Sequence, residues 1–191
     1  PSPETKLAIL ESTINKLLAA GYVYIGMDHF AKPDDELAIA QSTGKLHRNF
    51  QGYTTHAECD LVAMGVSAIS QIGSVYYQNE HEISAYTNAV EANQHAIKRG
   101  VSLVRDDIVR RQVITQLICH FEINKRETER LLNINFDKYF SESIAELEAF
   151  TQDGLVEIDQ NSIRVTPAGR LLIRRICMAF DAYIPKDQST Q

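Results

Sequence analysis

The opening of this chain constrains its fold most, because a helical stripe there runs straight into a strand across one glycine. Ser2 is placed to cap a helix that starts at Pro3, and Leu7, Leu10, Ile14, Leu17 and Leu18 recur at helical spacing as far as Gly21. Glycine tolerates the left-handed conformation at which helices end, so a helix is predicted from Pro3 to Ala20. Tyr22-Val23-Tyr24-Ile25-Gly26-Met27 follows at once, a β-branched and aromatic run that reads as a buried strand. Helix, tight turn, strand is the repeating step of a parallel αβ sheet.

Asp34, Asp35 and Glu36 suit the first turn of a short second helix that Gly44 closes. Lys45 to Glu58 reads as irregular, and the small apolar run from Leu61 to Ser70 as a second core strand. Ile83, Tyr86, Val90 and Ile97 support a further helix, after which composition shifts at Lys98-Arg99-Gly100. We therefore expect residues 1–103 to form one part, 104–185 a second, and 186–191 a disordered polar tail. The second part reads as helices from Asp106 to His120, Lys125 to Leu132 and Phe136 to Thr151. A hairpin of Leu155–Ile158 with Ile163–Val165 follows, then a helix capped by Thr166 and begun by Pro167. Three helices, a hairpin and a helix make a winged-helix pattern. The fold class expected is α/β followed by mainly α.

The absence of any unbroken apolar stretch near the roughly 20 residues of a membrane span predicts no transmembrane helix. Cys59, Cys119 and Cys177 lie about sixty residues apart and are odd in number, which fits neither a disulfide framework nor a clustered metal site and points to a reducing cytoplasm. Pro1-Ser2-Pro3-Glu4 has neither an initiator Met nor the pattern of a secretory signal, so the sequence is expected to begin within a longer protein. DNA binding is disfavoured because the helix that would enter a groove carries Asp137, Glu142, Glu146 and Glu148 against Lys138 alone.

Residues just past the end of a strand often carry chemistry in αβ barrels, which singles out Asp28 and His29. Further on, Lys45, His47 and Arg48 stand beside Phe50 and Tyr53, a set of cations that an anionic substrate would need, Arg especially for its planar fork. Gln51 belongs to the same loop.

Gly26-Met27-Asp28-His29-Phe30-Ala31-Lys32-Pro33-Asp34-Asp35-Glu36-Leu37 resembles the corresponding stretch of the oxygen-independent coproporphyrinogen III oxidases, radical S-adenosylmethionine (SAM) enzymes of haem biosynthesis. His47-Arg48-Asn49-Phe50-Gln51-Gly52-Tyr53-Thr54-Thr55 and Met64-Gly65-Val66-Ser67-Ala68-Ile69-Ser70 follow in the family's order, and Arg105-Asp106-Asp107 and Gly169-Arg170-Leu171-Leu172-Ile173-Arg174 extend the likeness. The resemblance implies that the chain holds the end of a partial αβ radical-SAM barrel and a helical C-terminal domain. It implies a parent that oxidatively decarboxylates two propionates of coproporphyrinogen III to vinyls, using a 4Fe-4S cluster and SAM. The family's Cys-x3-Cys-x2-Cys motif does not occur here, so this segment is expected to be inactive alone and to bind neither cofactor fully.

By the same resemblance Ile69 would contact a second SAM through apolar packing. Asp28, His29, Arg48 and Gln51 are candidates for the substrate site by their loop positions. The partners implied are the porphyrinogen and the missing N-terminal barrel segment, with self-association of the isolated piece through exposed strand edges. Two other readings compete. Radical-SAM haem chaperones tend to carry Tyr-Trp where Asn49-Phe50-Gln51-Gly52 stands here, and the chain has no Trp, which favours the oxidase. A stand-alone winged-helix interaction module would leave the αβ portion without a purpose.

Overall fold

A computed structural model describes residues 1–57 and 59–184. The chain divides into two compact units: Pro1–Asn49, Tyr53–Ala57 and Val113–Gln191 form the first, and Phe50–Gly52 with Glu58–Gln112 the second. The expected tail, 186–191, lies outside the described residues. Lys98-Arg99-Gly100, where composition shifts, sits inside a strand of the second unit.

The first helix, α1 (Pro3–Ala19), begins as predicted, with the Ser2 hydroxyl accepting a 3.3 Å hydrogen bond from Thr5 N. None of its residues is fully buried: Leu10, Ile14 and Leu17 are half-buried, and Leu7 and Leu18 are exposed. The buried strand is β1 (Val23–Gly26), but its partner is antiparallel: β2 (His29–Ala31) pairs Tyr24 with Phe30 and Gly26 with His29 around a bulge. Among the described residues β1 pairs only with β2, in a hairpin with the two-residue turn Met27-Asp28 that the sequence did not suggest, and His29 stands in a strand, not in a loop. Two central residues suffice to close an antiparallel pair, whereas a parallel partner needs a long crossover.

Helix α2 (Glu36–Ser42) is capped by Asp35, whose carboxylate accepts from Leu37 N at 2.9 Å. The stretch expected to be irregular contains β3 (His47–Asn49) and β4 (Gly52–Thr54), which pair, so Arg48 lies in a strand and Gln51 in the turn after it. Ile25, Ala31, Ala38, Ala40, Leu46 and Cys119 form a buried cluster beneath β1 and α2. Gln41 pins it by donating to the carbonyls of Ile25 at 2.6 Å and Cys119 at 3.1 Å.

In the second unit β5 (Ile69–Ile72), β6 (Val75–Asn79) and β7 (Ile97–Ser102) form an antiparallel sheet in that order, with α3 (Ile83–Glu91) between the last two. Of the run Leu61–Ser70 only Ile69 and Ser70 are strand, and Ile97 is strand, not helix. Gly65 at φ +109 and Ser67 at φ +58 break any extended run before Ile69.

The remainder has the predicted winged-helix order with three corrections. Helix α4 (Arg105–His120) is followed by β8 (Glu122–Asn124), a strand too short to show periodicity, which pairs with the later wing. Helix α5 (Lys125–Leu132) follows, and the long helix expected from Phe136 is two, α6 (Phe136–Tyr139) and α7 (Ser141–Gln152), broken at Phe140. Phe140 leaves helical geometry at φ −107 and is buried against Phe136, Tyr139 and Phe180, so packing of one aromatic outweighs helix continuity. Strands β9 (Val156–Ile158) and β10 (Ser162–Val165) complete a sheet ordered β8-β10-β9. The last helix starts later than Pro167, as a 3-10 turn (Gly169–Leu172) leading into α8 (Ile173–Met178). Among the described residues no helix is long and apolar enough to cross a membrane.

Candidate functional site

The β1–β2 hairpin presents one side of the site. Its turn residue Met27 has φ +54, a conformation that costs an L-residue about 1 kcal/mol or more. Two bonds hold it there: the Tyr24 hydroxyl donates to the Met27 carbonyl at 3.0 Å, and Arg174 Nε approaches its sulfur at 2.9 Å. Non-glycine residues in this region cluster at functional positions because surrounding contacts must offset the strain.

Beside the hairpin stands Tyr53, whose hydroxyl donates to the carbonyl of Ile118 at 3.1 Å. Its ring fits only because residue 26 is glycine: a β-carbon there would overlap the Tyr53 hydroxyl and stand 3.4 Å from the Phe121 ring. Burial pushes the Tyr53 phenol far up, only partly offset by the Arg48 charge, so it remains a neutral donor through the physiological range. Tyr24 stacks with Phe121, their centroids 6.5 Å apart and planes within 14°, and burial raises its phenol as well. Tyr24, Tyr53 and Phe121 thus form a partly buried aromatic wall.

Cations surround that wall. The Arg48 guanidinium lies 4.8 Å from the Tyr53 ring centre and Arg170 lies 4.6 Å from that of Phe121. The His29 ring meets Tyr53 edge-on at 5.1 Å. Three side-chain nitrogens here, His29 Nδ1, Arg48 Nη1 and Arg170 Nε, are buried without a hydrogen-bond partner. Asp28 Oδ1 comes within 2.8 Å of His29 Nδ1, but the approach lies outside hydrogen-bond geometry, so it is an electrostatic contact that leaves the nitrogen unsatisfied. A buried donor without an acceptor costs about 1–3 kcal/mol, more when charged, and the two arginine nitrogens around one wall make an arrangement suited to an anionic ligand with a flat or apolar body.

Of the residues singled out in the sequence, Asp28, His29 and Arg48 come together on the first unit, with Asp28 exposed at the turn. Gln51, exposed, and Ile69, half-buried at the start of β5, belong to the second unit. Lys45 is exposed and not part of the wall. Arg170, Tyr24 and Phe121 escape the sequence reading as site residues. Arg170 belongs to a stretch that resembles the family, yet only its contact with the sequence-distant Phe121 gives it a role.

The cysteines do not fit an iron–sulfur cluster. Cys119 and Cys177 are buried, and burial pushes each thiol up to about 12, away from the thiolate that metals require. Cys59 is exposed, and among the described residues no group of three His, Cys, Asp or Glu side chains could hold a metal ion. His120 has a structural part: burial lowers its pKa, and its neutral Nε2–H donates to the Leu46 carbonyl at 3.0 Å.

Comparison with known proteins follows the same division of labour. The HemN C-terminal domain model matches residues 103–172. The chain is 56% identical over 185 residues to an oxygen-independent coproporphyrinogen III oxidase of Pseudomonas aeruginosa, and 52% identical over 184 residues to that of Escherichia coli. A solved structure, described as coproporphyrinogen III oxidase (HemN) from Escherichia coli, a radical SAM enzyme, superimposes with a TM-score of 0.91 at 52% identity over 96% of this chain. The chain belongs to the oxygen-independent coproporphyrinogen III oxidase family. It corresponds to the C-terminal portion of such proteins, covering 40% of the Pseudomonas and Escherichia relatives and 42% of the solved chain. The family's mixed α/β region followed by a mainly helical region is the architecture described above.

Proposed function

We propose that this chain supplies the substrate-side wall of an oxygen-independent coproporphyrinogen III oxidase, a soluble cytoplasmic enzyme that converts two propionates of coproporphyrinogen III to vinyls. The observation that carries this reading is the aromatic wall bracketed by Arg48, His29 and Arg170 with unsatisfied buried nitrogens, in a chain of this family. In the family a 4Fe-4S cluster and SAM supply the hydrogen-abstracting radical. The described cysteines do not fit the cluster, which is therefore assigned to the part of the longer protein outside this chain.

What these residues can do follows from charge. Each conversion removes a hydrogen atom, carbon dioxide and one electron from a propionate and leaves a vinyl group. A carboxylate held by an arginine is stabilised as an anion, which opposes its departure as carbon dioxide. Arg48 is therefore assigned to a propionate that survives, and the reacting propionates point elsewhere. Tyr53, neutral and half-buried, adds an apolar face for a pyrrole ring and helps to exclude water. Ile69 offers only apolar contact, and a second SAM beside it rests on the family resemblance. Gln51 and Asp28 offer polar atoms at exposed turn positions. The exposed residues of the α1 apolar stripe, Leu7 and Leu18, are assigned to the preceding barrel segment, or in isolation to a second copy. The acidic α7 disfavours a nucleic-acid partner.

The test is an anaerobic assay of the full-length counterpart with reconstituted cluster, SAM, a reductant and coproporphyrinogen III, with this chain alone as control. Turnover by the full-length protein and none by the chain is expected. Tight haem binding without turnover would replace this reading with that of a haem chaperone.

A further inference from the structure

Arg170 has the features of a ligand-binding cation rather than a packing residue. Its backbone is fixed: Gly169 N donates to the Thr166 hydroxyl at 3.2 Å, and Arg170 N donates to the Thr166 carbonyl at 3.0 Å. Gly169 is packed so tightly on the Leu155 carbonyl that a β-carbon would overlap it. The stem is thereby held over Phe121, with the guanidinium 4.6 Å from the ring and Nε buried and unsatisfied. Among the described residues neither Arg170 nor Arg48 has an ion-pair partner, although the wing residue Arg164 lies within 4.0 Å of three carboxylates. Surface arginines snorkel to water and buried ones pair with acids. Arg170 is half-buried, with its Nε out of water and no acid beside it.

Arg48 and Arg170 share one wall. Gly26 lies beside the edges of both the Tyr53 ring that Arg48 covers and the Phe121 ring that Arg170 covers, so the two guanidiniums lie against neighbouring rings. Each guanidinium has an unsatisfied buried nitrogen, and a ligand with two carboxylates on one body would satisfy both. We propose that Arg48 and Arg170 form a two-cation clamp that takes the two propionates a porphyrinogen keeps through the reaction, leaving the two that are lost unpaired. This rests on the proposed function and adds to it a second residue and an orientation for the substrate.

The test is direct binding, without SAM or reductant, of fluorescent porphyrins to the 191-residue chain. The probes are coproporphyrin III with four carboxylates, mesoporphyrin IX with two, and the methyl ester of each. The clamp predicts that both acids bind with similar affinity and that the esters bind far more weakly. Arg170→Gln should weaken both acids by about 10- to 100-fold, the loss of a charge-assisted hydrogen bond, and Arg48→Gln similarly. Arg170→Lys keeps a stem over Phe121 and a charge but not the fork, and should recover part of the loss. If Arg170→Gln and Arg170→Lys both bind as the wild type does while Arg48→Gln is weakened, Arg170 is structural and the clamp is wrong, although the proposed function stands. Ester binding as tight as that of the acids, or mesoporphyrin IX binding tenfold more weakly than coproporphyrin III, would equally overturn it. Turnover by the full-length counterpart tests the underlying function separately.

Discussion

Gly169→Ala is expected to destabilise the fold by about 3 kcal/mol or more, the upper range for overpacking at a site that cannot yield. A β-carbon at residue 169 would collide with the Leu155 carbonyl oxygen and approach Val165 Cγ1 to 2.9 Å. That carbonyl cannot retreat freely, since it accepts hydrogen bonds from Thr166 N at 3.0 Å and the Thr166 hydroxyl at 3.2 Å. Relief would require giving up those bonds or lifting the 3-10 turn that carries Arg170. Gly154→Ala provides the contrast: its φ of +69 is unfavourable for alanine but open space surrounds it, so the cost is about 1 kcal/mol. Urea unfolding followed by circular dichroism compares the two, and equal midpoints would mean that Gly169 is not tightly packed on Leu155.

The second large effect concerns Arg48. In a chimera that places this chain in the Escherichia coli relative in place of the segment it matches, Arg48→Ala should lower kcat/KM for coproporphyrinogen III by about 100-fold, or about 3 kcal/mol. The size follows from removing one charged partner of a partly desolvated pair, which costs roughly 2–5 kcal/mol because the substrate carboxylate is left unpaired. Most of the loss should appear in KM, since an anchor for a propionate that does not react binds ground and transition states alike. SAM cleavage in the absence of substrate should be unchanged. An unaltered KM would remove Arg48 from the substrate site.

Much of the scaffold was legible in local sequence. The Ser2 cap and the winged-helix order follow from periodicity and capping and appear in the fold, and a second helix starts where the acidic run stands, with Glu36 in its first turn but Asp35 as its cap and Asp34 before it. What sequence could not resolve depended on distant partners. β8 is three residues long and is a strand only because β10 pairs with it; Phe140 breaks a helix because Phe136 and Phe180 compete for it. The hairpin at Met27-Asp28 was hidden because its turn lacks the usual glycine or asparagine at the left-handed position, where Met27 is held by Tyr24 and Arg174. The site was half legible. Arg48 stood out by residue type beside aromatics and His29 by a place past a strand that the fold turns into the start of β2, while Arg170 and Phe121 become neighbours only when α8's preceding turn packs against the end of α4.

The central claim, that this chain carries the substrate wall and not the radical source, is tested most directly by turnover of the same chimera with the wild-type chain, assayed anaerobically with a reconstituted cluster and SAM. The account predicts conversion of coproporphyrinogen III to protoporphyrinogen IX at a rate within about tenfold of the parent enzyme, a margin of about 1.4 kcal/mol for imperfect packing at the junction. A folded chimera that holds its cluster and cleaves SAM, yet converts no coproporphyrinogen III, would contradict it.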